Sequence, residues 1–453
     1  LKVLLADGIG GGITTVSTFI PPIFFLFLFL AMLEDSGYMA RAAFVMDRVM
    51  RALGLPGKAF VPLIVGFGCN VPAIMATRTM DKATDRIITI MMAPFMSCGA
   101  RMPVYVLFAT AFFPTNGQNL VFGIYVIGII AAIITGFLIK RVVLPGEVSA
   151  FVMEIQTYHI PTVKGVMMRT WDRLKAFLNR AGKVIVVICA VLGFLNSWGT
   201  DGSFGNEDSE KSVLSEIGYT IAPVLSPMGV TQENWPAAVG VFTGIFAKEA
   251  VVGTLNSLYD QMARDKNAEA AGEGAAAPAE EEADEGWSLG AILSEAGGTI
   301  VDNLADLGSA LTDPLGVAVD DLSDTAAAAE SQEVTVTTID MMQKLFGSQL
   351  AAFAYLMLVL LYMPCVAAIA AVYREAGAAW TLFLAAWTTV LGYSTATIVY
   401  RVGTFAQDPL YATVAIVISL GLLASLLFFM RNYVKNNRGK GPKVIPIAVA
   451  QPS

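Results

Sequence analysis

Ionisable and metal-binding side chains are scarce in this sequence. Its 453 residues include a single histidine, His159, and four cysteines, and only 15% of the residues are charged. One histidine excludes a histidine-rich metal site, and four cysteines so widely spaced exclude a disulfide framework. No GxxxxGK[ST] motif occurs, which excludes a P-loop nucleotide site in this chain. No basic patch is interleaved with aromatic residues, so nucleic acid is not an expected partner.

Apolar residues, in contrast, make up 55% of the chain and give it a mean hydropathy of +0.63. Several apolar runs exceed the length of about 18 residues that a bilayer core requires. The sequence therefore predicts an all-α polytopic membrane protein that lies in the lipid bilayer. About seven full spans are expected near residues 13–33, 86–113, 119–139, 182–198, 350–372, 379–400 and 410–430.

Two further apolar segments, 59–76 and 236–259, are interrupted by glycine, proline or charge. Backbone that leaves the helix at membrane depth is tolerated only where protein buries it or water fills a cavity. We therefore expect both segments to be re-entrant or broken helices. The distribution of basic residues, which collect in cytoplasmic loops, agrees with a single topology only if each segment enters and leaves on the same side.

This topology assigns the two sides of the membrane. Basic clusters place 41–58, 140–181 and the tail 435–453 in the cytoplasm, whereas residue 1 and the insert 262–338 are periplasmic. Because the start is external and carries no signal peptide, we expect at least one further span before residue 1.

Two polar stretches have distinct patterns. Residues 199–340 contain 26 acidic and only 4 basic residues, and within them 265–286 is predicted to be disordered. In 163–180, apolar and basic residues alternate at helical spacing, which predicts a helix lying on the cytoplasmic face.

A weak internal repeat organises the chain. The motif LEDSGY at 33–38 is echoed by LSEIGY at 214–219. Each copy is followed by one of the broken segments and then by a span with a Met-X-Cys motif, at 96–98 or 363–365. In the predicted topology the copies have opposite orientations, and inverted-repeat transporters hold their substrate near the midplane, where discontinuous helices meet.

Three of the four cysteines, Cys69, Cys98 and Cys365, lie beside or near glycine or proline, where helices are expected to break. Side chains and freed carbonyl groups at such breaks can face a cavity, and thiolate and thioether ligands favour soft transition metals. Packing is the alternative role for these cysteines, and it is the role we expect for Cys189, which lies in an unbroken apolar run.

Acidic residues supply the remaining candidates. Glu249 lies beside Lys248 in an apolar segment, where ionisable groups are functional by default, although the two side chains alternatively form a structural pair. Glu34 and Asp35 end the first span and form either a cation exit or part of an interface. The complete candidate metal-binding set is Cys69, Cys98, Cys365, Met96, Met363, Asn70, Glu249, Glu34 and Asp35.

Five motifs together resemble the bacterial ferrous-iron transporter B (FeoB) family. They are LEDSGYMAR at 33–41, GFGCNVPA at 66–73, APFMSC at 93–98, FAKEAVV at 246–252 and MPC at 363–365. The resemblance covers nearly the whole chain except 262–338. It implies a membrane domain of two gate-like repeats that transports Fe²⁺ across the bacterial inner membrane, and its pore cysteines map onto Cys69, Cys98 and Cys365.

The resemblance also implies partners. Family members join the membrane domain to a cytoplasmic GTP-binding domain, and GTP and Mg²⁺ are expected only in that N-terminal part, so this chain is not expected to be an enzyme. The small cytoplasmic proteins FeoA and FeoC are further expected partners, and a homo-oligomer is a possible assembly.

The resulting division of the chain has five parts. They are a first gate-like repeat with the following span at 1–139, a cytoplasmic amphipathic segment at 140–181, a second gate-like repeat at 182–375 including the periplasmic acidic insert 262–338, C-terminal spans at 376–434 and a cytoplasmic tail at 435–453.

Two other functions remain open: a cation-coupled nucleoside-type symporter, in which Asn70, Lys248 and Glu249 hold an organic substrate, and a receptor or scaffold without transport.

Overall fold

A computed structural model describes residues 10–114, 116–145, 158–205, 209–271 and 334–436, with backbone alone at 180–181 and 267–271. Within these ranges the chain is helical, and extended backbone pairs only in two isolated bridges, Trp198↔Phe204 and Gly199↔Ser212. The predicted all-α fold is confirmed for the described part of the chain.

The helices follow one another in two series. In the first half they are α1 (Gly11–Asp35), α2 (Tyr38–Ala52), α3 (Phe60–Gly68), α4 (Asn70–Ala76), α5 (Ala83–Met92), α6 (Met102–Phe112), α7 (Gly117–Leu138), α8 (Val163–Phe177) and α9 (Lys183–Ser197). In the second half they are α10 (Val213–Leu225), α11 (Trp235–Phe246), α12 (Ala250–Ala271), α13 (Val336–Phe346), α14 (Gln349–Leu361), α15 (Val366–Ala376), α16 (Ala378–Gly403) and α17 (Pro409–Asn436).

Each of the seven predicted spans coincides with an apolar helical segment. Six are long enough to cross a membrane, and the seventh is the shorter α9. The six are Gly11–Asp35, Ala83–Phe112, Gly117–Val143, Gln349–Ala376, Ala378–Gly403 and Pro409–Asn436. Two of them, Ala83–Phe112 and Gln349–Ala376, are themselves interrupted, so the chain has more broken segments than the two predicted.

Burial separates an outer from an inner layer of helices. In the apolar windows of α1 and α17, only 17% and 11% of the residues are buried, as expected for helices that face lipid. The interrupted spans Ala83–Phe112 and Gln349–Ala376 are 78% and 67% buried in the same windows and therefore form the interior of the bundle. The interior of a membrane bundle is where a polar path can be shielded from lipid.

A sharp bend of 106° separates α2 from the helical segment Gly57–Gly68. The carboxylate of Asp47 fixes the bend, because it accepts hydrogen bonds from the amide of Gly57 at 2.9 Å and from Nε of Arg51 at 2.6 Å. This bend turns the chain back into the bundle and positions α3 for the first break.

The predicted amphipathic helix is present as α8. Val166, Thr170 and Leu174 recur at four-residue spacing and are buried, and the helix packs against α1. Its apolar stripe is therefore partly covered by the bundle itself.

One disorder prediction is wrong in part. Residues 265–271 continue α12 as helix, because alanine and glutamate favour the helical state even in a polar stretch. The remainder of 265–286, and most of the acidic insert 262–338, lie outside the described residues.

Candidate functional site at four helix breaks

Four interruptions of helical structure occur at corresponding positions of the two repeats. In the first repeat they separate α3 from α4 and α5 from α6, and in the second they separate α11 from α12 and α14 from α15. The predicted breaks at 59–76 and 236–259 are thus confirmed, and each repeat has a second one at its Met-X-Cys motif. Cys69, Cys98 and Cys365 all lie at these breaks.

The first break is at Cys69, whose backbone is extended at φ −155° and ψ 132°. The amide of Cys69 closes α3 by donating to the carbonyl of Val65, and its own carbonyl accepts from Ala73 in α4. Pro72 fits here because proline lacks an amide hydrogen that would need a partner in the first turn. The thiol is half-buried, and the neighbouring Asn70 is buried with no hydrogen-bond partner on Oδ1 among the described residues.

The second break contains Met96 and Cys98. Pro94 lies in one short 3₁₀ turn, Ala93–Phe95, and Cys98 precedes another that leads into α6. Close packing of glycine holds the break: a Cβ on Gly66 would come within 3.0 Å of Cβ of Met96. The thioether side chain of Met96 is therefore buried against α3, whereas the thiol of Cys98 is half-buried.

The third break runs from Tyr362 to Cys365. Tyr362 has extended backbone, Pro364 prevents the helix from continuing, and the carbonyl of Cys365 accepts the first hydrogen bonds of α15. Gly392 of α16 packs directly on this segment, since a Cβ there would lie 2.8 Å from the amide nitrogen of Tyr362. Met363 and Cys365 are both half-buried.

The fourth break, between α11 and α12, contains Lys248 and Glu249. Lys248 is 3% exposed, its ammonium lies 4.0 Å from the centroid of the Tyr362 ring, and it has no hydrogen-bond partner among the described residues. Glu249 is half-buried and is not in an ion pair with Lys248. The structural pair considered as the alternative role of these two residues therefore does not form as a direct contact.

The three thiols of the breaks and Glu249 lie near one another. Cys98, Cys365 and Glu249 all lie within electrostatic range of Cys69. Glu249 is also in range of Cys189, which packs on Gly12 of α1 rather than at a break. Among the described residues, however, no three His, Cys, Asp or Glu side chains are arranged to hold a metal ion together. The ligand roles of the nine candidate residues stay predictions.

A cavity of about 640 Å³ opens among α1, α4, α8 and α15. Its inner wall includes Val71 and Pro72, which follow the Cys69 break, and Ala367, which follows Cys365. Charged side chains line it as well: Glu34, Arg78, Asp172, Arg173, Arg374 and Glu375. The cavity thus extends from two of the cysteine-bearing breaks to a set of ionic side chains.

Glu34 and Asp35 are held by the amphipathic helix. Arg173 donates to Glu34 and Arg169 donates to Asp35, each at 2.6 Å. These ion pairs fix α8 to the end of α1, which is the interface role considered for the two carboxylates. A cation at Glu34 would have to compete with Arg173.

Glu375 was not among the predicted site residues, yet it forms the most buried ion pairs in the described chain. Its carboxylate, 3% exposed, accepts from Arg78 and from the buried Arg86. The pairs join α15 of the second repeat to α5 of the first repeat and to the turn between α4 and α5. In the sequence, the feature that could have pointed to Glu375 is the presence of a glutamate near the end of an apolar span, in the motif YREA.

Comparison with known proteins identifies the group to which this arrangement belongs. The gate family model, described as nucleoside recognition, matches residues 16–112 and 178–379. A second model, described as the ferrous iron transport protein B C terminus, matches residues 121–173. The chain belongs to the FeoB family. The segments matched by the gate model contain all four helix breaks.

Individual FeoB relatives agree with this membership. The Fe(2+) transporter FeoB of Salmonella paratyphi A is 44% identical over 416 residues, which make up 92% of this chain and 51% of the relative. Those of Shigella flexneri and Escherichia coli K12 are 44% identical over 430 and 428 residues, covering 93% and 94% of this chain.

The chain spans about half the length of these FeoB relatives. No solved structure matches it. With its apolar helices, membership of the FeoB family makes the chain a multi-pass protein of the bacterial inner membrane.

Proposed function

We propose that this chain carries ferrous iron across the membrane along a path that passes Cys69, Cys98 and Cys365. The observation that carries the proposal is the location of these three half-buried thiols at helix breaks in the interior of the bundle. That the matched relatives are named Fe(2+) transporters supports the choice of ion.

The chemistry of the breaks suits a transported transition metal that is softer than Mg²⁺ or Ca²⁺. Thiol and thioether groups are ligands for Fe²⁺ rather than for Mg²⁺ or Ca²⁺, and Met96 and Met363 add thioethers on the same segments. Conduction requires ligands that bind well enough to admit the ion and loosely enough to release it. Three thiols spread over separate breaks, with Asn70 and Glu249 nearby, provide successive partial sites instead of one tight cage.

The cavity between α1, α4, α8 and α15 is the proposed continuation of the path. It begins beside the Cys69 and Cys365 breaks and carries Glu34 and Glu375 on its wall. In the predicted topology it opens to the cytoplasm, so it would serve as the exit. Arg173 and Arg78, which pair with these carboxylates, would then regulate how readily a cation leaves.

The complete protein is proposed to include further parts. A cytoplasmic GTP-binding domain in cis would gate the path, with GTP and Mg²⁺ bound there and no enzymatic activity in the present chain. FeoA- and FeoC-like proteins are the proposed small partners, and a homo-oligomer is a possible assembly.

Uptake of radioactive ⁵⁵Fe²⁺ into proteoliposomes tests the proposal. Liposomes that contain the full-length protein should accumulate iron under reducing conditions, whereas protein-free liposomes should not. The same vesicles should not take up labelled uridine. Inserted protein that gives neither iron nor uridine uptake would favour a receptor or scaffold role.

A nucleoside-type symporter is the second candidate, and one observation favours it. The gate model that covers most of the chain is described as nucleoside recognition. In that case Asn70, Lys248 and Glu249 would hold an organic substrate and the cysteines would be incidental. Saturable uridine uptake driven by a sodium or proton gradient, without iron uptake, would support this alternative.

A further inference from the structure

Three buried side chains where the breaks meet carry hydrogen-bond donors that lack acceptors among the described residues. They are Nζ of Lys248, Nε and Nη2 of Arg101, and the hydroxyl of Tyr362. Their residues are 3%, 0% and 2% exposed. Buried charged groups are nearly always paired, because removal from water without a partner is strongly unfavourable. Four unmatched donors in one place therefore require an explanation.

The three side chains converge on one short segment. The ammonium of Lys248 lies over the ring of Tyr362, and Nη1 of Arg101 donates to the carbonyl of Leu360 at 2.7 Å. Arg101 and Lys248 are close enough for their charges to interact. Neither is in an ion pair with a carboxylate in the part of the chain that the structure describes.

We propose that Lys248, Arg101 and Tyr362 form a binding site for a small inorganic anion, with chloride as the probe of choice. The guanidinium is always protonated and presents only donors, so its complement is an acceptor. The site is closely packed: a Cβ on Gly244 would collide with the hydroxyl of Tyr362. Such close packing favours a monatomic ion over phosphate or a carboxylate metabolite.

The anion has a role in transport if the proposed function is correct. Lys248 lies within electrostatic range of Cys98 and Cys365, where Fe²⁺ is proposed to pass, and the backbone amide of Arg101 donates to the carbonyl of Cys98. The guanidinium of Arg101 is a fixed cation, and in an interior of low dielectric it repels a divalent cation. A bound anion offsets that repulsion, so chloride should increase the apparent affinity for Fe²⁺.

Equilibrium binding of ³⁶Cl⁻ to the purified full-length protein, without iron, tests the site directly. The wild type should bind about one chloride per chain in a saturable manner. Lys248→Met keeps most of the length of the side chain and removes its donors, and should weaken binding by at least about tenfold. Lys344→Met, the same change at an exposed lysine of α13, should bind chloride like the wild type.

Absence of saturable chloride binding to the wild type, or equal affinity in Lys248→Met, would overturn the proposal. If Lys248→Met does not yield monodisperse protein, Tyr362→Phe is measured instead, since it keeps the ring and removes one donor. Chloride affinity equal to that of the wild type would then overturn the proposal. Iron uptake is measured separately on the same preparation. Chloride binding without iron uptake would preserve the anion site and reject the transport proposal.

Discussion

Arg101 donates a hydrogen bond from Nη1 to the carbonyl oxygen of Leu360, with 2.7 Å between the two atoms. Arg101 follows the Cys98 break in the first repeat, and Leu360 precedes the Cys365 break in the second. The contact therefore holds two cysteine-bearing breaks side by side across 259 residues of sequence. A buried guanidinium that satisfies a carbonyl at the end of a helix is a means of keeping such a break in one conformation.

Packing at the Cys365 break gives a first prediction. Gly392→Ala should destabilise the protein by about 1–3 kcal/mol, because the added methyl group collides with the backbone of Leu361 and Tyr362 and the break must shift. Gly421→Ala in α17 is the matched control, since nothing lies within 4 Å of its Cβ position. Thermal unfolding in detergent compares the two, and equal melting temperatures would contradict the packing described at Gly392.

The buried ion pairs of Glu375 give a second prediction. Glu375→Gln should destabilise the protein by about 3–5 kcal/mol, since it leaves the buried Arg86 without a compensating charge. Glu34→Gln should have an effect below about 1 kcal/mol, because the pair between Glu34 and Arg173 is about one third exposed. The melting temperatures of both variants provide the measurement.

Iron uptake by Glu34→Gln separates the two roles of that carboxylate. Normal uptake per inserted protein supports the interface role that its pairing with Arg173 indicates. A large loss of uptake at unchanged stability would instead assign Glu34 to the exit of the path.

The predicted topology can be checked with exposed described residues. Single cysteines at Asp201 and Asn436, in a background where the four native cysteines are serine, should react differently with an impermeant thiol reagent in spheroplasts. We expect labelling at 201, in the periplasm, and none at 436, in the cytoplasm. Labelling at 436 and not at 201 would mean that the predicted topology is inverted. The cavity would then open to the periplasm and could not be the exit.

Local sequence signals predicted much of the fold and of the break positions. Glycine and proline beside Cys69 and Cys365 mark places where a helix cannot continue, and hydropathy located the six long apolar helices and the shorter α9. The contacts between breaks could not be predicted in this way. Arg101 with Leu360, and Arg86 with Glu375, are pairs between distant segments, and neither hydrophobic periodicity nor local propensity specifies such partners.

The central claim is that Cys69, Cys98 and Cys365 line one path for Fe²⁺. Serine at any of the three removes a soft ligand and nearly conserves size, so the fold should persist while ⁵⁵Fe²⁺ uptake falls. The control is Cys189→Ser, because Cys189 packs on Gly12 within an unbroken helix. A thiol-reactive blocker should inhibit the wild type and spare a variant that retains only Cys189.

The most direct measurement is the initial rate of ⁵⁵Fe²⁺ uptake per inserted protein for the four single serine variants. Coordination by the thiols predicts at least about a tenfold loss at residues 69, 98 and 365, and a rate near that of the wild type at 189. Equally mild effects at all four positions, explained by the amount of inserted protein and not by the uptake rate per inserted protein, would contradict the cysteine-lined path.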